Sequence, residues 1–561
     1  MNQLSGIDYV IFIIYFLIVA GYGIWVYRRD RLASKDTQDF FLAKGSLTWW
    51  AIGASLIASN ISAEQFIGMS GEGYFVGIAI AAYEWVAAIA LIIMAVWFMP
   101  IYLKNKIYTM PQFLKTRYNE SVALIMAVFW LFLYVFVNLT SILYLGAIAI
   151  NGMLGGEYLH VIMICLALFA LIITLGGMEV IGYTDVIQVG VLIIGGLATT
   201  YLALTIVSER FGLGSDAIAG FNVLMKDAPE HFHMILDKPT AESSPLEVQR
   251  YLIVPGIAMY FAGQWIVNLN YWGCNQYITQ RALGADLNTA RTGILFAGLL
   301  KLLMPVIVML PGIAAFVLYK NGHLPQLEGG SKDGAYSAIL GFLPNGLKGL
   351  SIAALTAAIV ASLAGKANSI STIFTLDIYK KYFNTGADEG KLVWVGRLTV
   401  IFAMVIAMFF TWGDILGIGG EGGFTFIQKY TGFISPGVFA MFILGMFWKR
   451  TTATAAMAGI ITGFVLSVFF NNYAPAVMGN ENILFTAFLN ADGNYEIPFL
   501  ICMGWSFVFT MIVMIGLSMF GPKENPKAFV LEKGMFSVPP ATMVLIVITV
   551  MIIAALYIKF W

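Results

Sequence analysis

Residues 53–74 read GASLIASNISAEQFIGMSGEGY. The stretch is mostly small and apolar, yet Ser59, Asn60, Ser62, Glu64 and Gln65 crowd its middle. A continuous lipid-facing helix would not tolerate that cluster, because the bilayer core holds no water to satisfy polar groups. A helix that breaks where it lines a cavity would, since its unwound carbonyls can hold a cation or a solute. Residues 261–277, FAGQWIVNLNYWGCNQY, have the same character, with Gln264, Asn268, Asn270, Asn275 and Gln276 inside an apolar run.

The rest of the chain places these two stretches in a membrane. Hydrophobic residues make up 60% of 561 residues and charged residues 11%, and the mean hydropathy is +0.83. Soluble chains carry about 25% charged residues. A helix needs about 20 apolar residues to cross the hydrocarbon core. On that basis spans are expected near 9–27, 48–73, 76–103, 122–152, 159–177, 181–207, 253–280, 292–319, 347–376, 393–411, 424–447, 452–471, 498–520 and 539–560, fourteen in all. The expected class is an all-α integral membrane protein, with residues 1–561 forming a single transmembrane domain.

Several function classes drop out. With 31 basic and 31 acidic residues the net charge is zero, which gives no reason to expect nucleic-acid binding. No Walker A or GxGxxG pattern supports ATP-driven chemistry. The longest polar segments, 208–250, 320–346 and 472–497, are too short for a conventional soluble domain. The expectation is a transporter, not an enzyme, with no obligate protein partner. Cys165, Cys274 and Cys502 lie in apolar stretches and imply no disulfide framework. The N-terminus lacks a positive n-region, so its apolar segment reads as a retained helix. His160, His231, His233 and His323 fall in loops or at a span edge, which argues against an intramembrane histidine relay.

Basic residues orient the spans. If the N-terminus is outside, 19 lysines and arginines fall in inside loops, among them Arg31, Lys35, Lys44, Lys104, Arg281 and Arg291, against 8 outside. Four of those eight lie in the long 208–250 loop, where the positive-inside rule is weak. Both termini are therefore expected outside.

Glu64, Glu84, Asp185, Lys301 and Lys366 lie within five different spans. A charge at the bilayer centre costs at least ~2.5–3.5 kcal/mol on insertion scales, so each is a functional candidate by default. Taken singly, any of them could be a structural ion pair that fixes helix packing. Together, three acids and two bases read as a shared polar interior. With the leading helix 9–27 set aside, the two interrupted spans open two five-span blocks, 48–207 and 253–447, with three further helices over 452–560. Interrupted helices in corresponding positions point to inverted repeats around a midplane site. Asn60, Gln65, Glu84, Asn268 and Gln428 suit a polyhydroxy solute, because each exchanges hydrogen bonds with hydroxyls and is left unpaired by a solute lacking them. Tyr271 and Trp272 offer flat faces to the C–H side of a sugar ring. Aromatics are 14% of the chain, so either ring also fits ordinary packing.

Long motifs then carry a resemblance: SLIASNISAEQFIGMSGEGY (55–74), YEWVAAIALII (83–93), FVNLTSILYLG (136–146), TDVIQV (184–189), NLNYWGCNQYITQR (268–281), LPGIAAF (310–316), SISTIFTLDIYK (369–380) and FISPGVFAMFILGMFWKR (433–450). Over nearly its whole length the chain resembles the sodium/solute symporter family, and within it the bacterial sodium/galactose symporters. The resemblance implies a leucine-transporter fold with one helix before the ten-helix core and three after it, in a bacterial-type inner membrane. It implies a secondary active symporter that couples inward sodium movement to uptake of a monosaccharide such as galactose or glucose. Matched position by position, it implies a solute site of Asn60, Glu64, Gln65, Glu84, Asn268, Tyr271, Lys301 and Gln428. Met69, Tyr83 and Phe424 match an outer gate, and Tyr271 with Trp272 an inner one. Ala87 stands where the galactose symporters have a serine, and Asn270 where they have a tyrosine.

The resemblance also implies a sodium site of carbonyls from Ala58, Ile61 and Ala358 with the Ser362 hydroxyl. The segment reads AIVASLAGKANS (358–369), so Ala361 replaces one family hydroxyl, and Ala364 and Gly365 lack those of a second ion. At most one sodium is expected. Lys366 lies one turn after Ser362, on the same helix face. Two readings stay open. Lys366 pairs with Asp185, which matches a family aspartate near the ion's inner exit, and sodium still binds. Alternatively its ammonium takes the cation position in a proton-coupled or sodium-independent sugar or polyol transporter. A membrane solute sensor without net transport is the reading from another class.

Overall fold

The computed structural model describes residues 4–30, 47–154, 157–175, 178–325, 327, 332–416 and 423–561. Arg31, Lys35 and Lys44, counted above as inside charges, lie outside the described residues.

Helices dominate, because apolar runs of this length satisfy their backbone groups only by coiling on themselves in lipid. Among the described residues, ten helices are long and apolar enough to cross a membrane, from Gly6–Trp25 to Pro540–Phe560. Two further pairs qualify only as bent spans: Pro245–Phe261 with Gly263–Cys274, turning by 82°, and Phe424–Gly432 with Ser435–Phe447, turning by 54°. Polar side chains start the helices at the membrane edges. Asn119 accepts from the Val122 amide at 2.9 Å, Asp286 from Asn288 and Thr289, and Ser244 forms a reciprocal capping box with Glu247. Three arginines expected in or beside loops are instead buried staples. Arg117 donates to the carbonyls of Gly445, Trp448 and Thr451, closing the end of the Ser435–Phe447 helix. Arg291 donates to the carbonyls of Ala95, Met535 and Ser537. The third, Arg281, belongs to the site described below.

Burial sorts the helices into centre and rim. Leu347–Phe383 is 89% buried along its apolar window, whereas Pro540–Phe560 is 17% buried. The central helix packs against Trp49–Asn60, Met178–Arg210, Leu159–Thr174 and Gly6–Asp30. Rim helices turn Leu17, Phe402, Phe409 and Met551 outward, as lipid-facing surfaces require.

The 472–497 segment, expected as a plain loop, carries an exception to the all-α class. Phe488–Leu489 pairs antiparallel with Tyr495–Glu496. The Asn490 side chain accepts from the amides of Asp492 and Asn494, and Gly493 takes φ +78°, so the turn chemistry closes the hairpin.

Candidate functional site

The first interrupted stretch breaks where its polar residues cluster. The helix Trp49–Asn60 ends at Ile61, whose backbone is extended (φ −79°, ψ 110°), and resumes as a π turn over Glu64–Met69. The break is stabilised by side chains. The Ser62 amide donates to Gln65 Oε1 at 3.0 Å instead of continuing the helical ladder to the Ala58 carbonyl. The second stretch breaks at Asn275 (φ −99°, ψ 125°), between Gly263–Cys274 and Gln276–Leu283.

A cavity of about 40 Å³ lies against the first break. Its walls are Asn60, Glu64, Gln65, Tyr83, Glu84, Ala87, Val267, Asn268, Tyr271, Trp272, Lys301, Phe424 and Gln428. The fold thus brings together all eight residues expected to hold solute, together with Tyr83, Phe424 and Trp272 of the expected gates. Met69 is fully buried on the π turn and does not line the cavity. Val267 is a lining residue that the sequence reading did not single out.

Lys301 organises the cavity. Its ammonium donates to Asn60 Oδ1 and Glu84 Oε2 and stands 5.3 Å from the Trp272 ring centroid. Glu64 accepts from Gln65 Nε2 at 3.4 Å, and its second oxygen has no hydrogen-bond partner. Asn60 Nδ2 donates to the Tyr271 hydroxyl at 2.9 Å, and the Tyr277 hydroxyl donates to that of Tyr271. Tyr83 meets Phe424 edge-on, centroids 5.1 Å apart. Beyond them Glu72 Oε1 accepts from Lys332 Nζ and Thr425 Oγ1, both at 2.6 Å. The cavity has room for about three waters, against the roughly 300 Å³ or more of a typical ligand pocket. The Tyr83–Phe424 contact and Tyr271 form parts of its wall.

Below the break, Ala58, Ile61, Ala358 and Ser362 are each at most 1% exposed where the broken helix packs on the central one. The Ser362 hydroxyl donates to the Ser59 carbonyl at 3.1 Å. Ala58 keeps a carbonyl released from the ladder, because the Ser62 amide is bound elsewhere. Uncharged oxygens at a helix break are the donors that hold a sodium ion in broken-helix transporters, so this set fits the expected cation.

Asp185 does not take the partner that one of the two open readings gave it. Its partner is not Lys366. The Ser55 hydroxyl donates to Asp185 Oδ2 at 2.5 Å, and Arg281 Nη2 lies 3.9 Å from the same oxygen. The reason is the break at Asn275, which turns Gln276–Leu283 back into the protein and buries Arg281 to 2% exposure. Arg281 also donates to the carbonyls of Ser55 and Tyr277. Gly365 makes room for its guanidinium, since a Cβ there would collide with Nη2. Lys366 instead holds its ammonium 5.0 Å from the Tyr277 ring centroid. Arg281 and Tyr277 are thus site residues missed in the sequence, where Arg281 was counted with loop charges. Their i,i+4 spacing just after a polar interruption was the available signal.

Comparisons with known proteins place the chain in a family and a fold. Residues 40–463 match the profile of the "Sodium:solute symporter family". The chain is 43% identical to the sodium/glucose cotransporter of Vibrio parahaemolyticus, over 100% of this chain and 99% of that one. It is 34% identical to the sodium/myo-inositol cotransporter 2 of Mus musculus, over 83% of this chain and 70% of the relative. Its backbone superposes with a TM-score of 0.75 on a substrate-bound, outward-open Na+-coupled sialic acid symporter, at 20% identity, covering 93% of this chain and 99% of the other.

Proposed function

The chain belongs to the sodium:solute symporter family, and from that premise we propose that it is a secondary active symporter coupling inward sodium movement to uptake of a monosaccharide. It is a transporter, not an enzyme. The observation that carries the reading is the identity of 43%, over 100% of this chain and 99% of the relative, to a sodium/glucose cotransporter. The solute is glucose, galactose or a close polyol, held by Asn60, Glu64, Gln65, Glu84, Asn268, Lys301 and Gln428 with Tyr271 beneath it. One sodium ion travels with it, on the Ala58, Ile61 and Ala358 carbonyls and the Ser362 hydroxyl. Fourteen spans are arranged as a leading helix, two inverted five-helix blocks (48–207 and 253–447) and three additional helices, with both termini outside a bacterial-type inner membrane.

The mechanism is alternating access. In this cavity Lys301 spans Asn60 and Glu84. Opening on the outer side separates Tyr83 from Phe424. Solute hydroxyls then take over bonds that Lys301, Glu84 and Asn60 make to one another, so the site exchanges hydrogen bonds instead of losing them. Cation binding at the broken helix favours one arrangement of the same helix that carries Asn60, Glu64 and Gln65, which links the two affinities reciprocally. Release inward requires Tyr271 to leave Asn60 and Tyr277.

The test is uptake of radiolabelled glucose and galactose into proteoliposomes under an inward sodium gradient, at fixed pH. Accumulation that disappears when choline replaces sodium supports the proposal. Accumulation unchanged in choline would sink it in favour of the proton-coupled or sodium-independent reading built on Lys366. Solute binding without any accumulation would leave the sensor.

A further inference from the structure

Glu72 is a buried carboxylate that neither the solute cavity nor the proposed ion site uses. It lies on Ser70–Phe75, the short helix that continues the π turn, and is 0% exposed. Its Oε1 accepts from two donors, Lys332 Nζ and Thr425 Oγ1, each at 2.6 Å. The donors belong to distant parts of the chain. Thr425 follows Phe424 on Phe424–Gly432, and the Phe424 ring meets Tyr83. Lys332 begins the short turn Lys332–Gly334 that leads into Ala335–Gly341. One oxygen therefore joins three elements. Their backbones also meet there: an added Cβ at Gly71 would stand 2.8 Å from the Lys332 carbonyl oxygen, and one at Gly68 2.7 Å from Phe424. The Lys332 ammonium stands 5.1 Å from the Phe75 ring centroid as well. Among the described residues Glu72 Oε2 is buried without a hydrogen-bond partner. The carboxylate is thus held by strong charge-assisted bonds on one oxygen and left unsatisfied on the other. Water admitted by an opening would supply the missing partners, so this contact is strong when closed and can be exchanged when open.

We propose that Glu72 is a positioning residue of the transport cycle, an ionic latch that holds the Phe424 helix and the 332–341 segment on the broken helix. The inference rests on the alternating-access reading above, in which separation of Tyr83 from Phe424 is the outer opening step. Movement of Phe424 away from Tyr83 carries Thr425 with it and withdraws its hydroxyl from Glu72. Lys332 is the partly exposed member of the cluster, so water enters from its side. Glu72 follows Glu64 and Gln65 along one broken helix, and none of Glu72, Thr425 and Lys332 lines the cavity. The latch therefore sets how often the solute site is exposed without touching the solute, by weighting the closed arrangement against the open one.

The test is labelling of Ala87→Cys on intact cells expressing the full-length protein, by an outside, membrane-impermeant thiol reagent, without sodium or sugar. The rate in matching proteins that lack Ala87→Cys is subtracted, since Cys165 is exposed. Lys332→Met, Thr425→Val and Glu72→Gln are each compared with the protein carrying Ala87→Cys alone. All three are expected to label faster, and Lys332→Met by about tenfold or more, the population shift that loss of a charge-assisted hydrogen bond brings. Lys332→Met strands the buried carboxylate, which then only water can satisfy. Adding Glu72→Gln to Lys332→Met is therefore expected to slow labelling below that of Lys332→Met alone, a reversal that loss of packing would not produce. Unchanged or slower labelling in all three single variants would overturn the proposal. Labelling that rises further in the double variant would overturn it too, because the two side chains would then act independently. Failure of both Lys332→Met and Thr425→Val to fold would make the contact a structural staple and equally refute the latch. The labelling needs neither cation nor solute, so a failed sodium/glucose uptake test would leave its result standing, and the two readings can fail separately.

Discussion

At the scale of single residues, a buried charge pair organises the pocket. Lys301 and Glu84 are 1% and 3% exposed, so neither can lose the other to water. Breaking a buried pair by removing one partner costs about 3–5 kcal/mol, because the remaining charge is stranded. Lys301→Ala should abolish sugar uptake and lower the melting temperature of the purified protein. The pair Lys301→Met with Glu84→Gln should recover most of the lost thermal stability without recovering uptake. Wild-type transport by Lys301→Ala would remove Lys301 from the site. Gln428 is half-buried at the cavity wall and forms no part of this pair. Gln428→Ala should therefore lose uptake at nearly unchanged stability and membrane insertion, a contrast that separates solute binding from packing.

At the scale of elements, the breaks do the positioning, and close helix contacts decide when the cavity is sealed. Gly68, on the π turn, lies so near the Phe424 helix that an added Cβ would stand 2.7 Å from both Phe424 Cβ and its amide nitrogen. Extra volume at such a contact costs about 1–3 kcal/mol and is relieved by moving the partner. Gly68→Ala should therefore push Phe424 away from Tyr83 and bias the protein toward an open outer side. The measurement is labelling of a cysteine placed at Ala87, which lines the cavity one turn from Tyr83, by an outside, membrane-impermeant thiol reagent. It should be faster in Gly68→Ala, and an unchanged rate would contradict the gate assignment. At the break itself, Gln65→Leu frees the Ser62 amide to bond the Ala58 carbonyl again. Sodium binding should weaken by roughly tenfold as that oxygen is withdrawn, since a hydrogen bond to a charged group is worth about 1.5–3 kcal/mol.

At the scale of the whole molecule, the 208–250 loop ties distant parts of the chain together. His231 stacks on Phe316 with centroids 4.0 Å apart, and its Nε2 lies 3.0 Å from the Tyr74 carbonyl at the end of the broken helix. Arg250 Nε donates to the Phe75 carbonyl at 2.6 Å, and the Met234 amide donates to the Phe560 carbonyl at 2.7 Å. Burial, reinforced by the Arg250 charge, pushes the His231 imidazole down from 6.5 to about 4. An undocked loop would take up its proton near 6.5 and the docked one near 4. Between those values the undocked state binds more protons, so docking weakens as pH falls through that window. The shift corresponds to about 3 kcal/mol by pH 4. Hydrogen exchange across 229–236, corrected for intrinsic rates, should lose protection from pH 7 to 4.5, and His231→Phe should flatten that dependence. Equal protection at both pH values would show that the loop is held by other contacts.

Residue order alone was enough to determine that this chain lives in a bilayer as a bundle of helices, and that the 53–74 and 261–277 stretches are interrupted. Hydrophobicity and hydrogen-bond satisfaction are local demands, and SNISAEQ inside an apolar run violates the second wherever lipid is near. Most of the eight residues that line the cavity stood out for the same reason, as polar groups that lipid would not accept, and the family resemblance supplied the set. Pairing was not legible, because partners far apart in sequence meet only through packing. Asp185 and Arg281 are such a case: one lies on a span, the other on a helix whose inward turn at Asn275 buries it. Only the tertiary structure turned a counted loop charge into the buried neighbour of Asp185 and left Lys366 against Tyr277.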